Sequence, residues 1–209
     1  MKTLLITGPI GSGKSLASRV LAACGMPIYD SDAQAKELYG RYPELISQLE
    51  AALGQTLRKE ASRLAEAAAS EVGAELDKKK LARILFESPD ARRKVNALVH
   101  PLVIADFQKW SFAQKGPWVG MESALLLSPE AGAGLACDAV LFVDAPREVR
   151  LERIIRRDSC TREQALARIR SQQLSSNDPR VSRVLMNDGD TSMFEEQVKS
   201  YYKTLVEKP

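Results

Sequence analysis

Apolar residues fall along this chain in two patterns. Short, nearly unbroken runs alternate with longer stretches in which apolar positions recur every three or four residues. The runs are Lys2–Thr7, 27–29, Trp118–Glu122, 139–143 and Arg183–Met186. Each is rich in Ile, Val, Leu or aromatic residues and is bounded by turn or polar residues, which predicts strands. The stretches between them predict helices. Strands that alternate with helices argue for a parallel sheet covered on both faces, an α/β fold. In such sheets functional residues gather at the carboxyl ends of the strands. Thr7, Asp30, Glu122 and Asp144 all stand at such ends.

Two regions depart from the alternation. Residues 33–116 hold no strand-like run and predict a succession of helices at 45–53, 59–72 and Lys78–Glu87, with Gly54 and Gly73 as breaks. Pro89-Asp90 can start another helix, and Pro101 is expected in the first turn of the next. This region predicts a helical subdomain grafted on the sheet. The second region, 147–173, predicts a long basic helix pair interrupted near Asp158–Thr161.

Between the first strand and the first helix, predicted at 15–24, the chain reads Gly8-Pro9-Ile10-Gly11-Ser12-Gly13-Lys14-Ser15. Gly, four residues, then Gly-Lys-Ser is the pattern of a phosphate-binding loop. Glycines let the backbone turn so that successive N–H groups face phosphate oxygens. Lys14 brings a point charge to the outer phosphates, and the Ser15 hydroxyl can ligate Mg²⁺. The helix N-terminus adds attraction for an anion. Pro9 removes one N–H, so Gly11, Ser12, Gly13, Lys14 and Ser15 are expected to carry most phosphate contacts.

Asp30-Ser31-Asp32 follows the second strand. A carboxylate there can accept the proton of an alcohol in phosphoryl transfer, while its neighbour helps to hold Mg²⁺; the alternative is a cap for the helix starting near Ala33. Arg150, Arg153 and Arg157 recur at i, i+3 and i+7, one helix face. Guanidinium groups suit phosphate oxygens, so this face reads as a lid, with a solvated basic face as the alternative. His100, the only histidine, is a substrate contact or a structural residue. Glu122 is either near the Mg²⁺ and phosphate region or a satisfied strand-end carboxylate. Trp110 and Trp118 are expected to pack.

The bulk composition adds limits. The 209 residues suit one substantial domain, with room for a subdomain. A net charge of +3 points to neither a nucleic-acid coat nor a polybasic anchor. Three distant cysteines, Cys24, Cys137 and Cys160, lack metal-ligand spacing and suit a reducing compartment. No run approaches about 18 apolar residues, so no membrane span is expected. A cleaved secretory signal would destroy the phosphate loop. The expected location is the cytoplasm.

The motifs together resemble the dephospho-coenzyme A kinases over nearly the whole chain. Gly8–Ser15 resembles that family's GGIGSGKS, with Pro9 for the second glycine. Tyr29-Asp30-Ser31-Asp32-Ala33 is similar to its D-A-D motif. Residues 81–102 resemble its block ending in His-Pro, and 146–158 its lid motif ending in Arg-Asp. Residues 168–172 are similar to its R-I-x-x-Q, and Asn187 and Gly189 to its late N-x-G.

The resemblance implies ATP as donor, Mg²⁺, and dephospho-CoA as the small-molecule acceptor. It implies Asp32 as the base on the ribose 3′-hydroxyl. Lys14 and Arg153 would act on the transferring phosphoryl group, with Arg157 assisting. The loop backbone, with Leu16 beside it, would hold ATP; Ser15 would face Mg²⁺, and His100 would lie by the acceptor. It implies a five-stranded parallel P-loop kinase core at 1–32 and 117–209, a lid at about 147–173, and a helical acceptor-binding subdomain at 33–116. A monomer or weak oligomer is expected, without nucleic-acid or membrane partners.

The chain departs from the family pattern in places. Ser128 stands where an acidic residue is usual, leaving Glu130 nearby, and Arg150 replaces Gln in the lid motif. Residues 55–76 form a longer connection, and 182–186 read differently before Asn187. Another P-loop small-molecule kinase, of a nucleoside monophosphate or shikimate, is the alternative. A GTP switch lacks its D-x-x-G and N-K-x-D here.

Overall fold

The computed structural model describes residues 1–59, 76–124, 135–172 and 174–207. Most of the helix expected at 59–72, and the segment with Ser128 and Glu130, lie outside the described residues. The strands are β1 (Lys2–Thr7), β2 (Ile28–Asp30), β3 (Trp118–Glu122), β4 (Ala139–Asp144) and β5 (Arg183–Met186). The described helices are α1 (Lys14–Ala23), α2 (Ser31–Arg41), α3 (Pro43–Leu53), α4 (Lys78–Glu87), α5 (Pro89–Phe112), α6 (Arg147–Asp158), α7 (Arg162–Arg170) and α8 (Thr191–Glu207).

The strands form one five-stranded sheet in the order β2-β3-β1-β4-β5, with every pair parallel. β1 is central: Leu5 stands opposite Met121 of β3 and Val140 of β4. This position explains why its apolar run is unbroken, since Leu4, Leu5 and Ile6 are all at most 2% exposed. Alternation along the strands sends Leu4, Ile6, Leu141, Val143 and Leu185 into one cluster. There they meet Ala17, Val20 and Leu21 of α1 and Phe194 and Val198 of α8. Each large side chain so buried stabilises the fold by about 1.5–3 kcal/mol. Trp118 donates its indole N–H to the Leu205 carbonyl at 3.0 Å. Trp110 packs against Tyr29, ring centres 5.4 Å apart and planes tilted by 57°. Both tryptophans are packing residues, as expected.

The chain divides into two compact units, one of residues Met1–Ser31 with Phe107–Pro209, the other Asp32–Asp106. The second is helical among its described residues, apart from an isolated bridge between Arg58 and Leu76. Asp77 caps α4 by accepting from the Lys80 N–H at 2.9 Å.

One expectation about this region was wrong. Pro101 does not open a helix; it lies inside α5, which runs unbroken from Pro89 to Phe112. An interior proline costs about 3 kcal/mol. Val95, Val99 and Val103, each at most 5% exposed, form an i, i+4 stripe through this stretch, and burying three such side chains outweighs that cost. Among the described residues no helix is long and apolar enough to cross a membrane.

Candidate active site

The site is assembled at the carboxyl edge of the sheet, where β1 passes into the loop 8–13 and then α1. Gly13 precedes α1 with a φ of 105°, a left-handed conformation that side chains rarely adopt, and no side chain caps the helix. Its opening N–H groups therefore have no intrahelical partner. The loop closes on itself: the Ser12 N–H donates to the Pro9 carbonyl at 3.2 Å, and Lys14 Nζ donates to the same oxygen at 3.2 Å. Pro9 thus contributes its acceptor where it lacks a donor. The next N–H, of Ile10, donates to Gln172 Oε1 at 2.6 Å, so it too is committed within the protein.

Ser15 donates its hydroxyl to Glu122 Oε1 at 2.7 Å. Two strand ends meet here, since β1 and β3 are neighbours and Glu122 pairs in register with Ile6. A hydroxyl that donates keeps lone pairs for another partner. Ser15 and Glu122 could therefore hold a metal ion directly or through water. No cluster of three or more His, Cys, Asp or Glu that could hold a metal occurs among the described residues. Mg²⁺ needs no such cage, because it is bound by few protein oxygens together with phosphates and water. The residues present fit a nucleotide triphosphate with Mg²⁺: a glycine-turned loop, an uncapped helix start, a lysine and a serine hydroxyl.

The arginines expected to share one face have different fates. Arg150 turns back, donating through Nε to the Ala145 carbonyl at 3.0 Å. Its backbone lies against the loop: a Cβ on Gly11 would come 2.8 Å from the Arg150 carbonyl oxygen. Arg153 reaches the loop, with one guanidinium nitrogen 3.4 Å from both the Gly11 and Ser12 carbonyls. Burial, and then the nearby Arg156 charge, lower its pKa. Arg157 pairs with Asp158 through two hydrogen bonds of 2.7 and 3.0 Å. That bond raises the Arg157 pKa and lowers that of Asp158, which Arg168 also contacts.

The interruption of the helix pair is where it was expected. Ser159 adopts a left-handed φ of 48°, and a capping box between Thr161 and Gln164 starts α7. Leu151 and Ile154 of α6 pack on Ala165 of α7, with Ile10 of the phosphate loop against the same cluster.

A cavity of about 300 Å³ lies among these groups, lined by Gly11, Gly13, Lys14, Ser15 and Leu16 with Arg153 and Arg157. Of the expected loop residues all but Ser12, which is fully buried, line it, and Arg153 and Arg157 join them. Arg19, Asn187 and Thr191 line it too. Sequence reasoning gave these no role, although Arg19 stands one helical turn after Ser15 on α1 and so shares its face. Asp32 and His100 belong to the second unit. Asp32 is exposed in the first turn of α2, and His100 is buried within α5.

A parallel sheet whose central strand feeds such a loop, with a guanidinium delivered from a separate helical hairpin, defines a P-loop kinase. Comparison with known proteins places it further. The model of the dephospho-CoA kinase family matches residues 3–193. The chain is 37% identical over 187 residues to a dephospho-CoA kinase of Bacteroides fragilis, covering 88% of this chain and 84% of that one. It is 35% identical over 211 residues to one from Leptospira interrogans, covering 99% and 95%. Among solved structures, the protein TT1252 from Thermus thermophilus superposes with a TM-score of 0.75 at 29% identity, over 98% of this chain and 97% of that one. The chain belongs to the dephospho-CoA kinase family, transferases that phosphorylate the ribose 3′-hydroxyl of dephospho-CoA with ATP in the final step of coenzyme A biosynthesis. Another P-loop kinase activity is not favoured by these matches.

Proposed function

We propose that the residues gathered around the phosphate loop carry this reaction in the following roles. Gly11, Ser12, Gly13, Lys14, Ser15 and Leu16 hold the ATP phosphates through the loop backbone and the start of α1. Lys14 and Arg153 stabilise the charge on the transferring phosphoryl group, and Arg157 assists from the α6–α7 hairpin. Asp32 accepts the proton of the ribose 3′-hydroxyl as its oxygen bonds to phosphorus and the bond to ADP breaks. Ser15, oriented by Glu122, would hold Mg²⁺. When bound, that ion would neutralise part of the phosphate charge. His100 contacts the acceptor.

In this reading, residues 1–32 and 117–209 form the nucleotide-binding core, with a lid at about 147–173 that excludes water and limits wasteful hydrolysis. Residues 33–116 bind the acceptor. The chain acts in the cytoplasm as a monomer or weak oligomer, on small molecules alone.

The observation that best supports these roles is the approach of Arg153, from a helix distant in sequence, to the loop that Lys14 and Ser15 close. The test is acceptor choice. Incubated with Mg-ATP and a panel of alcohols and nucleotides, the protein is expected to phosphorylate dephospho-CoA on its 3′-hydroxyl. Phosphorylation of a nucleoside monophosphate or shikimate, with none of dephospho-CoA, would overturn the reading.

A further inference from the structure

Asn187 is the first residue after β5, and it is tied into the sheet. Its N–H donates to the Asp144 carbonyl at 2.7 Å, extending the β4–β5 ladder by one step. The residue is 3% exposed, and its carboxamide is used at both ends. Nδ2 donates to the Ser12 carbonyl at 2.8 Å, and Oδ1 accepts from the Arg153 guanidinium at 3.1 Å. Orientation follows from chemistry: a carbonyl only accepts and a guanidinium only donates, so the amide satisfies both in one way alone. The contact to Asn187 is shorter than the 3.4 Å contacts of Arg153 with the loop carbonyls. It is the bond that best defines where the guanidinium sits.

The loop is shaped around this side chain. A Cβ on Gly13 would come 2.1 Å from Asn187 Nδ2. Glycine there admits the carboxamide as well as the left-handed turn. The hydrogen bond to the Ser12 carbonyl has a second effect. In a trans peptide the C=O of one residue and the N–H of the next point in opposite directions. Holding the Ser12 carbonyl toward Asn187 therefore turns the Gly13 N–H the other way.

We propose that Asn187 is a positioning residue for phosphoryl transfer, one carboxamide that sets the Arg153 guanidinium and the Ser12–Gly13 peptide relative to each other. It acts through Arg153 and the loop, the two partners its carboxamide bonds. The proposal rests on the role given above to Arg153. Misplacement of a catalytic group by about 1 Å can cost on the order of a hundredfold in rate, so a side chain fixing both groups has leverage on turnover.

A double-mutant cycle on kcat tests this, using Asn187→Ala, Arg153→Ala and the pair, with KM for ATP and thermal stability measured alongside. Asn187→Ala is expected to lower kcat by about tenfold or more when Arg153 is present. In the Arg153→Ala background the same change is expected to cost less than about threefold, because its target is gone. Equal losses in both backgrounds would overturn the proposal while leaving the role of Arg153 intact. Wild-type kcat in Arg153→Ala alone would overturn the Arg153 reading, and the proposal with it. Should the alanine variant not fold, Asn187→Asp keeps the shape, removes the donor toward the Ser12 carbonyl and places a negative charge against the Arg153 guanidinium, drawing it away from the phosphoryl group. Its KM for ATP is expected to rise in both backgrounds, with a kcat loss only where Arg153 remains. A kcat loss of the same size without Arg153 would refute the coupling.

Discussion

At the scale of single residues, three polar side chains give the phosphate loop its shape. Gln172 takes the Ile10 N–H, Asn187 takes the Ser12 carbonyl, and Glu122 takes the Ser15 hydroxyl. Glu122 ends β3, Asn187 follows β5 and Gln172 follows α7; the Ser12 carbonyl bond is buried, where an unmet group costs about 1–3 kcal/mol. The acid–base work is assigned to another residue. Asp32→Asn keeps the side-chain shape but cannot take a proton from the acceptor. ATP binding, measured by calorimetry, should be nearly unchanged, while turnover should fall by about a hundredfold or more. Near wild-type turnover would remove Asp32 as the base. The loop residues were legible in the sequence because the pattern of glycines, lysine and serine is local. By spacing alone Arg153 was legible as one of three arginines on a helix face, and the family resemblance singled it out. Which of them meets the loop depends on side-chain partners: Arg150 bonds Ala145 and Arg157 bonds Asp158.

At the scale of elements, the α6–α7 hairpin is joined to the loop by backbone as well as by charge. Ile10 packs on the Leu151–Ile154–Ala165 cluster while its N–H is held by Gln172. Gln172→Ala should release that N–H. Hydrogen exchange at the Ile10 amide is expected to quicken, and KM for ATP to rise severalfold, with amide protection elsewhere in α6 and α7 retained. Unaltered exchange at Ile10 would show that the bond does not hold the loop. The hairpin also carries a carboxylate that titrates early. Its bonds to Arg157, then the Arg157 and Arg168 charges, hold Asp158 below the usual carboxylate pKa. Its folded pKa is thus depressed from an unfolded value of about 3.9. The stabilisation it contributes is complete above that value and is lost as pH falls through the lower, folded one. An NMR titration of the Asp158 carboxyl carbon should give a midpoint under about 3.9, and Arg157→Ala should raise it. The interruption near Asp158–Thr161 was readable in advance because helix stops and starts are set by a few adjacent residues; the structure adds the capping box of Thr161 and Gln164. The continuity of α5 through Pro101 was not, because local propensity is overruled there by a buried valine stripe.

At the scale of the whole molecule, the five strands and the two helices α1 and α8 share one apolar cluster, and the site sits on its rim. Leu141, fully buried in β4, belongs to that cluster and to no part of the site. Leu141→Ala should destabilise the protein by about 2–5 kcal/mol in denaturant unfolding, with kcat per folded molecule unchanged. A large kcat loss in the folded variant would mean that the core tunes the site directly. The sequence by itself determined the parallel α/β class, the five strands within a residue or so, the phosphate loop and the helical character of the inserted region's described residues. These follow from hydrophobic period and short motifs, which act over a few residues. Only the tertiary structure decided the strand order β2-β3-β1-β4-β5, and with it which strand ends are neighbours. That order brings Glu122 to Ser15 and Asn187 to Ser12 across 107 and 175 residues of sequence. No local pattern encodes such pairings; they arise when buried strands close into one sheet and the polar groups left at its edge must satisfy one another.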